Sequence, residues 1–477
     1  MTGAIAAETA LARGETIAID DAALEALGAA LRGRLIRPGD ADYDEARRVW
    51  NSMIDKRPVL IARCAGTADV VAAVRFARAQ GLEVAVRGGG HNVAGNAVCD
   101  GGLVIDLSEM KGIDVDPVAR TASAEPGVVW GELDAATQRY GLATPGGVVS
   151  STGIGGFTLA GGMALTSRKL GLACDNLLSV DIVTADGETV RASATERPDL
   201  FWAIRGGGGN FGIVTRFEYR LHEVGPEVFV AFTFFAFADA EQAMRGWRTY
   251  VASAPDEVTS TFLLWSMPAL PDLPAEMHGM PVAGVAGSYT GSVAEAVRAL
   301  HPLRELATPI VDLSGQYTYL QAQSAWDVHF PTTLRYYWKS LFLDALRDKD
   351  IAATIALAAD RPSPRTLFAL RHLGGAVGRV PNDATAFANR QSQFNLSLDT
   401  TWADPADDER MIGWTRRAWA EMREQTGGGV YLNFAGLGEE NDLLAEAGYG
   451  SNVARLREVK RRYDPDNIFK GNINIAP

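Results

Sequence analysis

Three consecutive glycines followed by a histidine, Gly88–His91, constrain this chain more than any other feature of its sequence. They follow Val84 and Val86, whose alternation predicts a β-strand. Glycine loses more conformational freedom on folding than any other residue, so three in succession indicate an unusual backbone or close contact with a bulky group. Backbone N–H groups in such a loop bind phosphate, and Arg87 adds a positive charge. A tight turn that ends in a surface histidine is the alternative at this point.

Two further glycine-rich segments follow. Residues 144–163 contain seven glycines and almost no charge, which favours the wall of a site for a flat, bulky ligand; a connector between strands is the alternative. Residues 206–212 satisfy the pattern G-x-G-x-x-G, but the alternation in Ile213–Leu221 predicts a strand after them. Because a dinucleotide-binding fingerprint requires a helix there, we reject that interpretation.

Composition limits the class of protein. The length of 477 residues predicts two or three domains. The net charge of −13 is scattered, and no Lys/Arg cluster supplies the basic face that a nucleic acid requires. The three cysteines lack both a CxxC spacing and nearby histidines, so neither a disulfide framework nor a metal site is predicted. Residues 1–20 lack the apolar core of a signal peptide and no later window predicts a membrane span, so we expect a cytoplasmic protein.

The pattern of predicted strands and helices changes near residue 222. Before it, short buried strands alternate with amphipathic helices, of which Thr67–Gln80 is the clearest. After it, longer aromatic β-runs such as Val228–Phe237 alternate with helices, which predicts a sheet backed by helices. We expect a second domain over residues 223–425, and we expect residues 426–477 to pack against the first domain.

Five segments together resemble a known family. They are Arg87–His91, residues 145–162, residues 206–212 with the strand that follows, Tyr431-Leu-Asn433, and the tail from Tyr463 to Asn474. In this order they resemble the berberine bridge enzyme-like FAD-linked oxidases of the vanillyl-alcohol oxidase/p-cresol methylhydroxylase superfamily. The resemblance implies an α+β fold in which residues 1–222 and 426–477 form one FAD-binding domain. Residues 223–425 are then a substrate domain with an antiparallel sheet backed by helices.

The resemblance also implies how FAD is held. We expect a covalent bond from His91 to the 8α carbon of the flavin, and loop amides from Gly88 to Asn92 on the pyrophosphate. Many relatives add a second link through a cysteine, but Val149 occupies that position here, so a single link is predicted. Two residues beside the flavin, Val93 and Phe157, replace the tyrosine and histidine of plant relatives. The expected FAD-binding residues are Arg87, Gly88, Gly89, Gly90, His91, Asn92, Val93, Pro145, Gly146, Gly147, Thr152, Gly153, Gly156, Phe157, Gly162, Gly212, Val214, Tyr431, Asn433 and Asn472.

Three residues are expected to act in catalysis. Thr152 matches the position that controls oxygen access in the relatives, where valine accompanies oxidase and leucine dehydrogenase behaviour. Threonine is close to valine in volume, so we expect O₂ to reach the flavin. Tyr431 is the first candidate for the base that takes the hydroxyl proton of the substrate, and Asn433 would orient it.

The expected substrate pocket supplies the charge that such a tyrosine needs. A tyrosine with an ordinary pKa of about 10 acts as a base only beside a positive charge, for which Lys339 and Arg379 are the candidates. The glutamate base of some plant relatives aligns loosely with Asn382, so we expect no carboxylate base. The expected pocket residues are Tyr336, Trp338, Lys339, His372, Arg379 and Asn382.

The resemblance therefore predicts an FAD-dependent oxidase. It passes a hydride from an alcohol, sugar or secondary metabolite to flavin and then to O₂, giving H₂O₂, with no nucleic acid, membrane or metal involved. Alternatives are a flavin dehydrogenase with another acceptor, and a non-catalytic protein that binds flavin or another ligand. The sequence leaves the substrate and the oligomeric state open.

Overall fold

The computed structural model describes residues 9–10, 16–17, 19–269 and 273–477. Most of residues 1–20, in which no signal peptide is predicted, lie outside these ranges. The first described elements are a pair of two-residue strands, β1 (Thr9–Ala10) and β2 (Thr16–Ile17), and the helices α1 (Asp21–Ala30) and α2 (Tyr43–Ala46).

A four-stranded sheet carries the loop Gly88–Gly90. Its strands are β3 (Arg34–Ile36), β4 (Leu60–Arg63), β5 (Val84–Arg87) and β6 (Leu103–Asp106), in the order β3-β4-β6-β5. Strands β4 and β5 both run parallel to β6, and helix α3 (Thr67–Gln80) crosses over between them. The bounds predicted for this helix are confirmed, since Gly81 ends it in the left-handed conformation with φ of +64°. The loop therefore leaves the carboxyl end of a parallel strand, where α/β sheets bind ligands.

A second, antiparallel sheet follows. Its strands are β7 (Ile113–Asp116), β8 (Thr121–Ala124), β10 (Leu177–Val183), β11 (Thr189–Ser193) and β12 (Ile213–Arg220), in the order β11-β10-β12-β8-β7. The short strands β9 (Leu142–Ala143) and β13 (His222–Glu223) pair with each other. Associated helices are α4 (Trp130–Gln138), α5 (Ile154–Leu159), α6 (Ser167–Leu170) and α7 (Pro198–Ile204). Because Gly212 leads directly into β12, the rejection of a dinucleotide fingerprint is confirmed.

The middle of the chain forms an eight-stranded antiparallel sheet. Its strands are β14 (Glu227–Ala236), β15 (Val258–Ser266), β16 (Pro281–Tyr289), β17 (Pro309–Asp312), β18 (Gly315–Thr318), β19 (Arg335–Leu343), β20 (Leu367–His372) and β21 (Phe394–Trp402). The order is β17-β14-β16-β15-β20-β21-β19, with β18 paired to β14. The helices of this region are α8 (Ala240–Val251), α9 (Val293–Leu300), α10 (Tyr319–Ser324), α11 (Asp348–Ala359), α12 (Ala376–Arg379) and α13 (Asp408–Thr426).

The two faces of this large sheet have different chemistry. On β15, Phe262 and Leu264 point into a core with Trp247 of α8, whose buried residues recur at helical spacing. The alternate residues Thr259 and Thr261 point to the opposite face, which borders a cavity. The sheet is thus backed by helices on one side and turned toward the glycine loops on the other.

The tail closes the structure against the first part of the chain. It contains α14 (Asn441–Tyr449) and α15 (Val453–Tyr463). The Nζ of Lys460, buried and paired with Asp464 at 2.6 Å, donates to the carbonyl of Asn210 at 2.8 Å. The amide of Ile475 donates to Oδ1 of Asn210 at 3.0 Å. The tail therefore fixes the loop at residues 206–212.

Candidate functional site

A cavity of about 370 Å³ lies between the glycine loops and the open face of the eight-stranded sheet. This volume is within the range of small-molecule and cofactor sites. At one end the wall is mostly backbone, from residues 88–92, 152–156 and 208–212; at the other it is side chains of the large sheet. Residues 431–434 and 472–473 of the tail complete the wall.

Two glycine loops pack backbone to backbone beside the cavity. A Cβ atom on Gly89 would lie 2.4 Å from the backbone nitrogen of Gly153, and a Cβ atom on Gly153 would lie 2.4 Å from that of Gly89. A side chain at either position is therefore excluded. At Gly156, which also lines the cavity, an added Cβ would meet nothing within 4 Å. The glycines thus form a cradle with open space above it.

His91 stands at the end of this cradle with a neutral imidazole. Burial lowers the pKa of His91 to about 3, so the ring keeps a lone pair at neutral pH. Its Nε2 lies 2.7 Å from Oγ of Ser151. A glycine cradle, free volume and an uncharged ring nitrogen together fit a cofactor with a pyrophosphate and a flat ring, as FAD has.

Tyr431 and Asn433 meet at the cavity wall. The hydroxyl oxygen of Tyr431 accepts hydrogen bonds from Nδ2 of Asn433 at 2.8 Å and from the backbone amides of Gly162 and Met163 at 3.2 Å each. Burial raises the pKa of Tyr431, although these donors and the charge of Arg371 act against it. The phenol therefore stays protonated at neutral pH.

Two charged residues that the sequence analysis did not select, Arg371 and Asp399, also line the cavity. Asp399 is 2% exposed, and burial raises its pKa to about 6 while Arg371 opposes the rise. Each is a charged residue inside an otherwise buried strand, β20 or β21, and that interruption is the signal in the sequence. The cavity wall therefore contains a carboxylate, although the position near Asn382 supplies none.

Three buried polar atoms on the cavity face of the large sheet have no hydrogen-bond partner within the described part of the chain. They are Oγ1 of Thr259, Nε1 of Trp338 and Oδ1 of Asp399. Burying a polar atom without a partner costs roughly 1–3 kcal/mol, so three in one cavity wall indicate that a ligand supplies the partners. His372 borders the cavity, but its ring packs against Trp247 and Phe394 on the helix-backed face of the sheet, where burial lowers its pKa to about 3.

The structure brings most of the predicted FAD-binding residues around this one cavity. Gly88, Gly89, Gly90, His91, Asn92, Val93, Gly147, Thr152, Gly153, Gly156, Phe157, Gly212, Val214, Tyr431, Asn433 and Asn472 line it, together with the predicted pocket residues Trp338 and His372. Pro145, Gly146 and Gly162 are not among the lining residues. Gly146 packs on Trp130, and the amide of Gly162 donates to the hydroxyl oxygen of Tyr431.

The prediction that Arg87 binds phosphate is wrong. Its guanidinium is buried in an ion pair with Asp106 and also donates to the carbonyls of Ala46 and Arg48. The same pairing lowers the pKa of Asp106 against the effect of burial. Because all of these partners lie in the protein, Arg87 fixes the end of β5 beneath the loop.

Four predicted pocket residues also lie elsewhere. Lys339 is paired with Glu439 at 2.7 Å and lies over the ring of Trp419. Arg379 is 62% exposed and paired with Asp256. Asn382 is exposed and accepts a hydrogen bond from the amide of Arg390.

Tyr336 is fully buried, and its hydroxyl donates to the carbonyl of Pro331 at 2.6 Å. Alternation along β19 explains why Lys339 lies outside the cavity, since its side chain points to the face opposite that of Trp338. The charge near Tyr431 therefore comes from Arg371 and not from Lys339 or Arg379.

Comparison with known proteins agrees with this site. The model of the FAD binding domain matches residues 58–193, and that of the berberine and berberine-like segment matches residues 430–476. (R)-6-hydroxynicotine oxidase of Paenarthrobacter nicotinovorans is 31% identical, covering 94% of this chain and 97% of that protein. The chain belongs to the berberine bridge enzyme-like FAD-linked oxidases.

Two further relatives show how widely the similarity extends. Xylooligosaccharide oxidase of Thermothelomyces thermophilus is 30% identical, covering 88% of this chain and 87% of that protein. The structure of Physcomitrella patens BBE-like 1 superposes with a TM-score of 0.85 at 26% identity, covering 95% of this chain and 99% of that one. The predicted α+β fold of the vanillyl-alcohol oxidase type is confirmed, and the chain is an FAD-linked oxidoreductase.

Among the described helices, none is both long enough and apolar enough to cross a bilayer.

Proposed function

We propose that this protein is an oxidase for a small hydroxylated substrate, with FAD attached through His91 and O₂ as the electron acceptor. The observation that carries the proposal is the set of three unpartnered buried polar atoms, one of them a carboxylate oxygen, at the end of the cavity opposite the glycine cradle. FAD, when bound, supplies the acceptor for the hydride that leaves the substrate carbon.

The cradle residues are suited to hold the cofactor. Backbone amides at Gly88–Asn92 bind the pyrophosphate without side-chain charge, since Arg87 is engaged below the loop. The absence of side chains at Gly153 and Gly156 leaves room for a flat ring beside Thr152. Because Nε2 of His91 is paired with Ser151, we assign the covalent bond to Nδ1.

Asp399 is the group suited to take the hydroxyl proton. A general base must be ionised at working pH, yet basic enough to hold the proton. With a pKa of about 6 and one oxygen unpartnered, Asp399 meets both conditions near pH 7. The raised pKa of Tyr431 makes it a weaker candidate for the base, so its role is to donate its hydroxyl hydrogen to the substrate oxygen.

The cavity favours a substrate with several hydroxyl groups. The hydroxyl of Thr259 both donates and accepts, the indole of Trp338 only donates, and the free oxygen of Asp399 accepts when the carboxylate is ionised. A sugar or polyol satisfies such a mixed set, whereas an apolar polycycle leaves the atoms unpaired. Two of the relatives described above are named as oxidases of (R)-6-hydroxynicotine and of xylooligosaccharides, and the unpartnered atoms favour the second kind of ligand.

Anaerobic reduction tests the proposal. The purified protein is mixed without oxygen with a panel of mono- and oligosaccharides and, separately, with apolar polycyclic alcohols. We expect loss of the visible flavin absorption with at least one sugar, return of the colour on admitting air, and one H₂O₂ per turnover. Reduction by the polycyclic alcohols alone would contradict the proposed substrate class.

Oxygen use has its own test. Thr152 lines the cavity at the position expected to control oxygen access. We expect Thr152→Leu to slow reoxidation in air, while Thr152→Val, which keeps the volume, reoxidises as the parent does. If the parent itself reoxidises no faster than free flavin, the protein is a dehydrogenase that uses another acceptor.

A further inference from the structure

Three aromatic rings stack in a column at the end of the glycine cradle. The ring of Trp50 lies in the middle, 4.7 Å from the ring of His91 with an angle of 21° between the planes. On its other face lies Tyr336, at 3.9 Å and 15°. The imidazole of His91 therefore has one face covered by an indole that is itself held from behind.

Trp50 has little freedom to move. It is 4% exposed, and its Nε1 donates to the carbonyl of Phe330 at 2.9 Å. Its backbone amide donates to the carbonyl of Gly90, the residue before His91, at 3.1 Å. The indole and the loop that carries the histidine are thus one connected unit.

Asn51 links this unit to the large sheet. Its Nδ2 donates to the carbonyls of Val93 and Tyr336, at 2.8 and 2.9 Å, and its Oδ1 accepts from the amide of Tyr336 at 3.1 Å. The side chain is fully buried. The loop is therefore tied to strand β19 through Val93, and to the Trp50–Asn51 segment through Gly90.

Ser151 holds the edge of the imidazole. Its Oγ lies 2.7 Å from Nε2 of His91. Stacking fixes the plane of a ring but leaves it free to turn within that plane, and a hydrogen bond at one nitrogen removes this freedom. If Oγ accepts from Nε2–H, the hydrogen is kept on Nε2 and the lone pair on Nδ1.

We propose that Trp50 and Ser151 are positioning residues for covalent attachment of FAD, Trp50 setting the plane of the His91 ring and Ser151 its rotation and tautomer. The inference rests on the proposed link at His91 and adds the residues that make that link form. Attachment replaces an N–H bond of His91 and a C–H bond of the 8α methyl group by one C–N bond. The two electrons and two protons removed pass to O₂, the acceptor in the proposed reaction, as H₂O₂.

The geometry explains why both contacts matter. Well-oriented intramolecular reactions gain effective molarities of 10⁵–10⁸ M, and the gain depends on the alignment of the reacting atoms. Without the indole face the imidazole tilts, and without Ser151 it turns or changes tautomer. Either change leaves FAD bound in the cradle but slows the bond to His91.

The test measures attachment separately from binding. Wild type, Trp50→Leu, Trp50→Phe, Ser151→Ala and His91→Ala are purified alike, and total flavin per chain is measured. Flavin that stays with the chain after acid precipitation is then followed over time with added FAD. We expect Trp50→Leu and Ser151→Ala to bind FAD but to attach it at least tenfold more slowly, Trp50→Phe to attach it at nearly the parent rate, and His91→Ala to attach none.

Ser150→Ala is the matched control. Its Oγ pairs with Asp327 and not with His91, so attachment is expected at the parent rate. Parent-like attachment in both Trp50→Leu and Ser151→Ala overturns this inference alone. Complete release of flavin from the acid-treated wild type overturns the proposed link and this inference with it. If Trp50→Leu does not fold, the test compares the rates of flavin attachment in Ser151→Ala and Ser150→Ala. Equal rates overturn the inference, and a slower rate in Ser151→Ala supports it.

Discussion

Oδ2 of Asp399 lies 3.8 Å from Nη2 of Arg371, on the neighbouring strand, without a hydrogen bond between them. The arginine instead donates through Nη1 to Oγ of Ser397 at 2.7 Å. Its charge is thus close enough to oppose the rise in the pKa of Asp399 but does not occupy the free carboxylate oxygen. This spacing favours the ionised carboxylate while leaving its Oδ1 without a partner among the described residues.

Asp399→Asn is expected to slow anaerobic flavin reduction 10²–10⁴-fold, the usual contribution of a positioned general base. The amide keeps the shape of the carboxylate but cannot take a proton. Stopped-flow mixing with the best substrate from the sugar panel measures the rate. Asp404→Asn, the same change at an exposed position, is the control and is expected to leave the rate unchanged.

Tyr431→Phe separates the two candidate bases. Losing one hydrogen bond to the substrate oxygen is expected to slow reduction by about tenfold to a hundredfold. Parent-like reduction in Asp399→Asn together with a larger loss in Tyr431→Phe would return the role of base to Tyr431.

The pH dependence of reduction is expected to follow Asp399. The base works when ionised, and burial raises the pKa of Asp399 to about 6. The rate should therefore rise with pH up to about 6 and level off above it, with no such rise in Asp399→Asn. A profile that still rises between pH 8 and 10 would indicate a group with a higher pKa, such as Tyr431.

Gly89→Ala is expected to abolish FAD binding. Its Cβ would lie 2.4 Å from the backbone nitrogen of Gly153, and a backbone atom cannot move aside as a side chain can. The two loops would have to separate, which opens the cradle. Total flavin per chain after purification measures the effect.

Gly28→Ala is the matched control. An added Cβ there meets nothing within 4 Å, in helix α1. This variant is expected to retain its flavin and to gain roughly 0.5–1 kcal/mol in free energy of unfolding. Full flavin content in Gly89→Ala would contradict the packing argument.

The backbone of the site was more predictable than its side chains. Glycines mark the cradle because their effect is local: the 88–90 loop needs backbone without side chains wherever the rest of the chain goes. Arg87 beside them was misassigned, because its partner Asp106 comes from a strand that only the folded sheet brings next to β5. Which charges are already paired is a property of tertiary structure.

The side chains at the substrate end of the cavity were equally hard to predict from the sequence. Lys339 and Trp338 are adjacent in sequence, yet alternation in β19 sends them to opposite faces, and the sequence alone does not state which face is which. Arg371 and Asp399 were predictable as charges within buried strands, but their proximity depends on the pairing of β20 with β21. The five motifs of the resemblance contain neither residue.

A last prediction concerns a buried acid outside the cavity. Oδ2 of Asp134, in α4, accepts from Nε2 of Gln323, in α10, at 3.2 Å, and burial raises the pKa of Asp134 from 3.8 to about 7. Because the folded-state pKa exceeds the unfolded one, the stabilisation from this group is complete below about pH 4 and is lost as the pH rises to about 7. The ionised form costs on the order of 4 kcal/mol.

Asp134→Asn, which stays neutral, should therefore melt above the parent at pH 8 and close to it near pH 4. The exposed control Asp114→Asn should show no such difference, and an equal gap between Asp134→Asn and the parent at both pH values would show that Asp134 is not protonated in the folded state.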